Sequence, residues 1–156
     1  IGTAGATNEN LEIGDIVIGE NLVQHDFDTT AFGDEKGYIT GTGKIFKSDM
    51  ALISKYKSYV EQNIKKCNVI IGTIASGDIF CTEQWMKEKI RSKFNADCVE
   101  MEGAAIAQIC KLNNIPFIVI RSISDKPNGK NHIDFNEFIE MASKRCADII
   151  WECERN

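Results

Sequence analysis

The stretch Asp97–Gln108, DCVEMEGAAIAQ, decides the fold: a short apolar run bearing two carboxylates passes directly into small residues suited to a helix. If residues 98–102 are extended, side chains two apart share a face, so Glu100 and Glu102 point one way and Met101 the other. Gly103-Ala104-Ala105 lets a helix begin close against the strand end, and helix N-termini favour carboxylates. A strand end meeting a helix start is where open α/β sheets usually hold small ligands. The alternative is that both glutamates are solvated residues at a strand exit.

The same grammar repeats on either side. Upstream, residues 67–75, CNVIIGTIA, form a near-continuous apolar run, as expected of a strand covered on both faces. They end in a turn, Ser76-Gly77-Asp78-Ile79-Phe80-Cys81. Thr82 is then expected to cap a helix to about residue 93, with Trp85, Met86 and Ile90 on its apolar side. Downstream, Pro116 opens the apolar run Phe117–Ile120, which leads into the turn Arg121-Ser122-Ile123-Ser124-Asp125. A last helix shows Phe135, Phe138, Ile139, Ala142, Cys146, Ile149, Ile150 and Cys153 at helical spacing, a core stripe, with Asp134 and Glu137 set as an aspartate-led capping box. Strand and helix therefore alternate three times from residue 67 onward. That pattern predicts an α/β fold with a mixed, largely parallel twisted sheet flanked by helices.

Towards the N-terminus the signals are weaker. Gly2-Thr3-Ala4-Gly5-Ala6 reads as a glycine-rich backbone turn that could face a ligand oxygen, or as an ordinary loop. Ile16-Val17-Ile18 and Leu22-Val23 read as a hairpin-like or bent strand. The polar stretch from Gln24 to Gly43 holds four glycines and is long for a structureless loop, which marks it as functional or poorly ordered. His25, Asp26 and Asp28 have the composition of a metal cluster, but a hydrogen-bonded turn is the better reading, because no partner histidine lies nearby. Ser48 is expected to cap a helix to about residue 65, with Leu52, Tyr56, Tyr59, Val60 and Ile64 on one face.

Composition narrows the function classes. The chain has 156 residues, which suits a single domain, and a net charge of −5. Without a basic block, neither nucleic acid nor an anionic membrane is a favoured partner. No apolar run approaches the roughly 18 residues that a spanning helix requires. The six cysteines include no C-x-x-C pair, and two histidines are few to complete a zinc set. A reducing cytoplasm and no metal or other cofactor are the expectation.

Three turns, GTAGA, SGDIF and RSISD, and the EME junction would converge on one sheet edge if the strands are parallel. Together they offer glycine-lined backbone, Phe80 as an aromatic platform, acids at Glu100, Glu102 and Asp125, and Arg121 as an orienting cation. Such a site suits a neutral polar molecule with a flat ring and hydroxyls. No phosphate-cradling glycine motif is present. The competing readings are an Arg121–Glu102 ion pair, Phe80 in the core and Asp125 as a turn cap.

In this order and at these spacings, GTAGA, GDIVI, QHDFDTTAFG, IASGDIF, VEMEGAAIAQ and PFIVIRSISD resemble the 5′-methylthioadenosine/S-adenosylhomocysteine nucleosidases of the nucleoside phosphorylase superfamily. The resemblance implies hydrolysis of an adenine N-ribosidic bond in methionine salvage, by a cytoplasmic homodimer acting on a small nucleoside. It implies Asp125 as the acid that protonates the purine at N7, held by Ser124. It also implies Glu102 at the ribose hydroxyls, with Met101 and Arg121 beside it and Glu100 in an undefined role nearby. Phe80 would stack on adenine while the Cys81 backbone reads its edge, and Thr3, Ala4 and Gly5 would line the ribose and water region. Phe135 would lie at the 5′ substituent, with Phe32 reaching into the partner subunit's site. A phosphate-dependent phosphorylase of the same fold and a non-catalytic adenosine-binding fragment are the alternatives. Family members carry further residues before GTAGA, including the water-activating glutamate. The chain is therefore expected to be a domain incomplete at its N-terminus, whether a fragment or one of two chains. It is also expected neither to close its sheet fully nor to turn over substrate alone.

Overall fold

A computed structural model of the chain describes residues 1–65, 67–127 and 135–155, with the side chains of 135–137 excepted. The strands are β1 (Gly2–Ala6), β2 (Ile16–Gln24), β3 (Phe46–Lys47), β4 (Val69–Ser76), β5 (Cys98–Glu100) and β6 (Val119–Asp125). The helices are α1 (Met50–Asn63), α2 (Gln84–Phe94), α3 (Gly103–Leu112) and α4 (Phe135–Arg155). The expected threefold alternation after residue 67 is present, as β4-α2-β5-α3-β6-α4.

The sheet is mixed and closes on itself, contrary to expectation. Its order is β3-β2-β4-β5-β1-β6, and β6 pairs in addition with β2. The pairs β2–β4, β4–β5 and β1–β6 are parallel, whereas β1–β5, β2–β3 and β2–β6 are antiparallel. Closure is possible because β2 is bent. A register shift between Gly19 and Asn21 lets its first half pair with β6 and its second half with β3. Such a bulge bends and twists a strand, and a closed sheet has fewer bare edges to protect.

The core explains why β2 reads as apolar throughout. Val17 and Leu22 pack with Ile74, Cys98 and Ile123 on one side. Ile16 and Ile18 pack with Ile53, Tyr56 and Val60 of α1 and with Ile149 and Cys153 of α4 on the other. The Tyr56 hydroxyl donates to Glu154 at 2.8 Å, which ties α1 to α4. All six cysteines are free.

Several local expectations change. GTAGA is a strand, not a turn, and RSISD is the last five residues of the seven-residue β6. The parallel register pairs Gly2 with Arg121 and Gly5 with Asp125, and side chains of β6 lie across both glycines. Glycine in a strand commonly marks such a close approach, so its turn-like composition misleads. The cap of α1 is Asp49, whose carboxylate accepts from the Leu52 amide at 2.9 Å; Ser48 is buried before it. The N-cap of α2 is Glu83 rather than Thr82 and makes no side-chain cap bond. On α2, Trp85 is 61 % exposed while Lys87 is buried with Ile90. The Asp134–Glu137 capping box and the Phe135 side chain lie outside what the structure describes.

The QHDFD segment is a hydrogen-bonded turn. The His25 amide donates to the Ser76 carbonyl at 2.8 Å, and Asp26 accepts from the Asp78 amide at 2.7 Å. The Thr30 hydroxyl and amide, with Lys36, hold the Asp28 carboxyl down at about 2. The bonds made by His25 and Asp26 clamp the loop after β2 against the end of β4 and the loop that follows it. The His25 ring packs so tightly on Gly77 that a Cβ there would collide with it.

Burial, first of all, lowers the His25 pKa from its ordinary 6.5; Asp26 opposes the shift, Lys36 adds to it and Glu100 opposes it. A base with a depressed folded-state value binds its proton more tightly when unfolded. Its contribution to stability is therefore complete above the unfolded value and is lost as pH falls through it. Denaturant midpoints measured from about pH 7.5 down to about pH 5.5 should fall more steeply for the native chain than for His25→Gln. Parallel curves would contradict this account of the clamp.

Candidate active site

The site begins with the division of the two glutamates. β5 stops at Glu100, Met101 and Glu102 form a bend, and α3 starts at Gly103. The alternation of an extended strand therefore does not reach Glu102, and the two carboxylates do not share a face as expected. Glu100 turns inward and is buried, whereas the Glu102 side chain is 62 % exposed.

Around Glu100 four elements meet. Its carboxylate accepts from the Gly103 amide at 3.0 and 2.8 Å and from the Glu102 amide at 3.2 Å. Glu100 thereby satisfies the first turn of α3, whose own N-cap residue, Glu102, makes no side-chain cap bond. The Ser76 hydroxyl of β4 donates to Glu100 and accepts from the Ala104 amide at 2.7 Å. Arg121 of β6, itself buried, is ion-paired with Glu100 and reaches Glu102 at 3.2 Å. The competing Arg121–Glu102 pair is thus real, but the buried partner is Glu100.

A pocket of about 210 Å³ opens above this network. Thr3, Ala4 and Gly5 of β1 form one wall, and Glu100, Met101 and Glu102 another. Arg121, Ser124 and Asp125 of β6 line it, and Ile79, Phe80 and Cys81 come from the loop after β4. Phe80 is not a core residue: it is 74 % exposed, with a ring free to meet a ligand. Burial raises the Cys81 thiol, so this cysteine is a poor nucleophile near neutrality. The Ser124 hydroxyl lies 2.7 Å from Asp125 Oδ1 and 3.2 Å from the Ala4 carbonyl oxygen. Lys87 of α2 pairs with the same aspartate through Oδ2.

Most residues singled out from sequence therefore surround one cavity. Phe32 does not: it sits on a short 3-10 turn, Thr30–Phe32, away from the pocket and 87 % exposed. Ser76 and Lys87 escaped the sequence reading. For Lys87 a signal existed, since it stands three residues before Ile90 on the buried side of α2. Among the described residues no cluster of histidine, cysteine, aspartate and glutamate is arranged to hold a metal ion.

The phosphorylase superfamily profile matches residues 1–154. The chain belongs to the phosphorylase superfamily. It is 39% identical over 150 residues to the 5′-methylthioadenosine/S-adenosylhomocysteine nucleosidase of Geobacillus sp. (strain WCH70), an alignment covering 96% of this chain and 64% of that protein. It is 38% identical to the aminodeoxyfutalosine nucleosidase of Campylobacter jejuni, covering 99% of this chain and 67% of that protein. The crystal structure of a Campylobacter jejuni 5′-methylthioadenosine/S-adenosylhomocysteine nucleosidase superposes with a TM-score of 0.90 at 37% identity, covering 97% of this chain and 65% of that one. This superfamily member thus spans about two thirds of the length of the relatives it matches.

Because Glu100 carries a buried guanidinium, a strand hydroxyl and a helix start at once, Glu100→Gln should cost about 3 kcal/mol or more of unfolding free energy. Glu102→Gln, at an exposed position on the same arginine, should stay within about 1 kcal/mol. Equal effects in urea titration would overturn this division of roles.

Proposed function

We propose that this chain carries the base- and ribose-binding site of a nucleosidase that hydrolyses the N-ribosidic bond of 5′-methylthioadenosine and S-adenosylhomocysteine, releasing adenine and the 5-thio-substituted ribose. The observation that carries the reading is the joint presence, on one pocket, of Phe80, the Ser124–Asp125 pair and the Glu102–Arg121 pair. Relatives named as nucleosidases over nearly the whole of this chain support it.

Each group has work suited to its chemistry. Phe80 stacks on the adenine ring, and the Cys81 backbone meets its edge. Asp125, steadied by Ser124, shares a proton with N7, so that the purine leaves as a neutral base. In the net reaction the bond between C1′ and the purine nitrogen breaks, its electron pair goes to the base, the oxygen of water bonds to C1′, and the proton that water loses balances the one the base gains. Glu102, with the Met101 backbone and Arg121, takes the ribose hydroxyls. Negative charge at the sugar favours the cationic character that develops there in the transition state. Thr3, Ala4 and Gly5 line the side of the ribose approached by water. Glu100 acts beneath the sugar site by holding Arg121 and α3.

In this reading Phe32 crosses to the partner's site in a homodimer. The exposure of Phe32 supports such a contact. A cytoplasmic setting in methionine salvage is consistent with six free cysteines. Among the described residues, no helix is long and apolar enough to cross a membrane. The aminodeoxyfutalosine nucleosidase relative favours a second substrate reading, a futalosine-type nucleoside.

Calorimetry with adenine tests the site directly. The native chain should bind, and Phe80→Ala should weaken binding about tenfold, as expected for one lost stacking contact. Absence of binding would refute the proposal. In the full-length gene product, adenine release from 5′-methylthioadenosine should need no phosphate, and Asp125→Asn should lower kcat by about 10²–10⁴-fold. Phosphate-dependent release would assign the site to a phosphorylase instead.

A further inference from the structure

α2 carries a charge where its apolar face should be. Lys87 and Ile90 are its buried residues, and the lysine side chain is only 2 % exposed. A lysine is almost never buried unless it is paired. Its partner here is the Asp125 carboxylate, whose Oδ2 meets the ammonium group, and the Lys126 carbonyl oxygen accepts from the same nitrogen at 3.3 Å. The other carboxylate oxygen, Oδ1, accepts from the Ser124 hydroxyl. Gly5 leaves room for the pair: a Cβ there would stand 2.9 Å from Oδ2 and 3.3 Å from the Lys87 Nζ.

An ammonium group has three donors and no acceptor, so the oxygen that meets it must accept. Asp125 still has unused lone pairs, and its side chain is 39 % exposed on the pocket. What such a carboxylate can take from a ligand is a donor. A 6-aminopurine presents an N–H donor beside N7. A 9-substituted 6-oxopurine presents two acceptors there, O6 and N7.

We propose that Lys87 is a positioning residue that holds Asp125 as a hydrogen-bond acceptor and so sets the preference of the site for 6-aminopurines over 6-oxopurines. The inference rests on the nucleosidase reading, in which Asp125 contacts the base, and adds a reason why that base is adenine.

The test uses 9-methyladenine and 9-methylhypoxanthine, which cannot be cleaved and have defined acceptor patterns at N7. Calorimetry gives the affinity ratio of the two for the native chain, Lys87→Met and Lys87→Arg. The ratio should fall about tenfold in Lys87→Met, the scale of one charge-assisted contact, and persist in Lys87→Arg, which keeps the cation. Lys87→Gln, a donor without charge, replaces the methionine variant if that one does not fold, and should behave in the same way. An unchanged ratio without the cation, an equal fall in both affinities, or loss of the preference in Lys87→Arg would each overturn the role given to Lys87 alone. Failure of the native chain to bind either base would overturn the nucleosidase reading itself, and the role of Lys87 with it.

Discussion

Everything at the site depends on one buried carboxylate. Glu100 ends β5, and from that position it must satisfy the amides that open α3, the hydroxyl that ends β4 and the guanidinium that rises from β6. A buried charge is tolerable only when such donors surround it, and here three separate elements supply them. The consequence is geometric. With Glu100 fixed, Arg121 cannot drift, α3 starts at one height above the sheet, and Glu102 is left facing the pocket with one hydrogen bond from Arg121.

The closed sheet then determines what else can face that pocket. Because β1 runs parallel to β6 and antiparallel to β5, its backbone lies between Glu100 on one side and Arg121 and Asp125 on the other. Glycine at positions 2 and 5 is what lets the larger side chains of β6 cross it. The loop after β4 completes the enclosure. It is clamped by the His25–Asp26 segment, so Phe80 stands in the open while the residues around it are tied down.

Much of this was legible in the chain itself. The alternation of apolar runs and amphipathic segments after residue 67 has a direct physical cause, the need of a covered strand to bury both faces, and it appears as written. Phe80, Glu102, Arg121 and Asp125 were legible as pocket residues because ring, acid and cation recur at strand ends. What failed did so for identifiable reasons. Glu100 and Glu102 were paired by the period of a strand that stops between them. GTAGA looked like a turn because the demand for its glycines comes from β6, more than a hundred residues away, which no local pattern can reveal. The closure of the sheet depends on an antiparallel β2–β6 pairing with the same long-range character. Lys87 was hidden by the rule that lysines face water, a rule its partner at Asp125 overrides.

Four distant segments form one binding surface in this reading, and amide chemical-shift mapping with 5′-methylthioadenosine tests that most directly. Perturbations should gather at Thr3–Gly5, Phe80–Cys81, Met101–Gly103 and Ser124–Asp125 together, with one shared saturation curve. Shifts confined to a single one of these segments, or spread evenly over the chain, would contradict it.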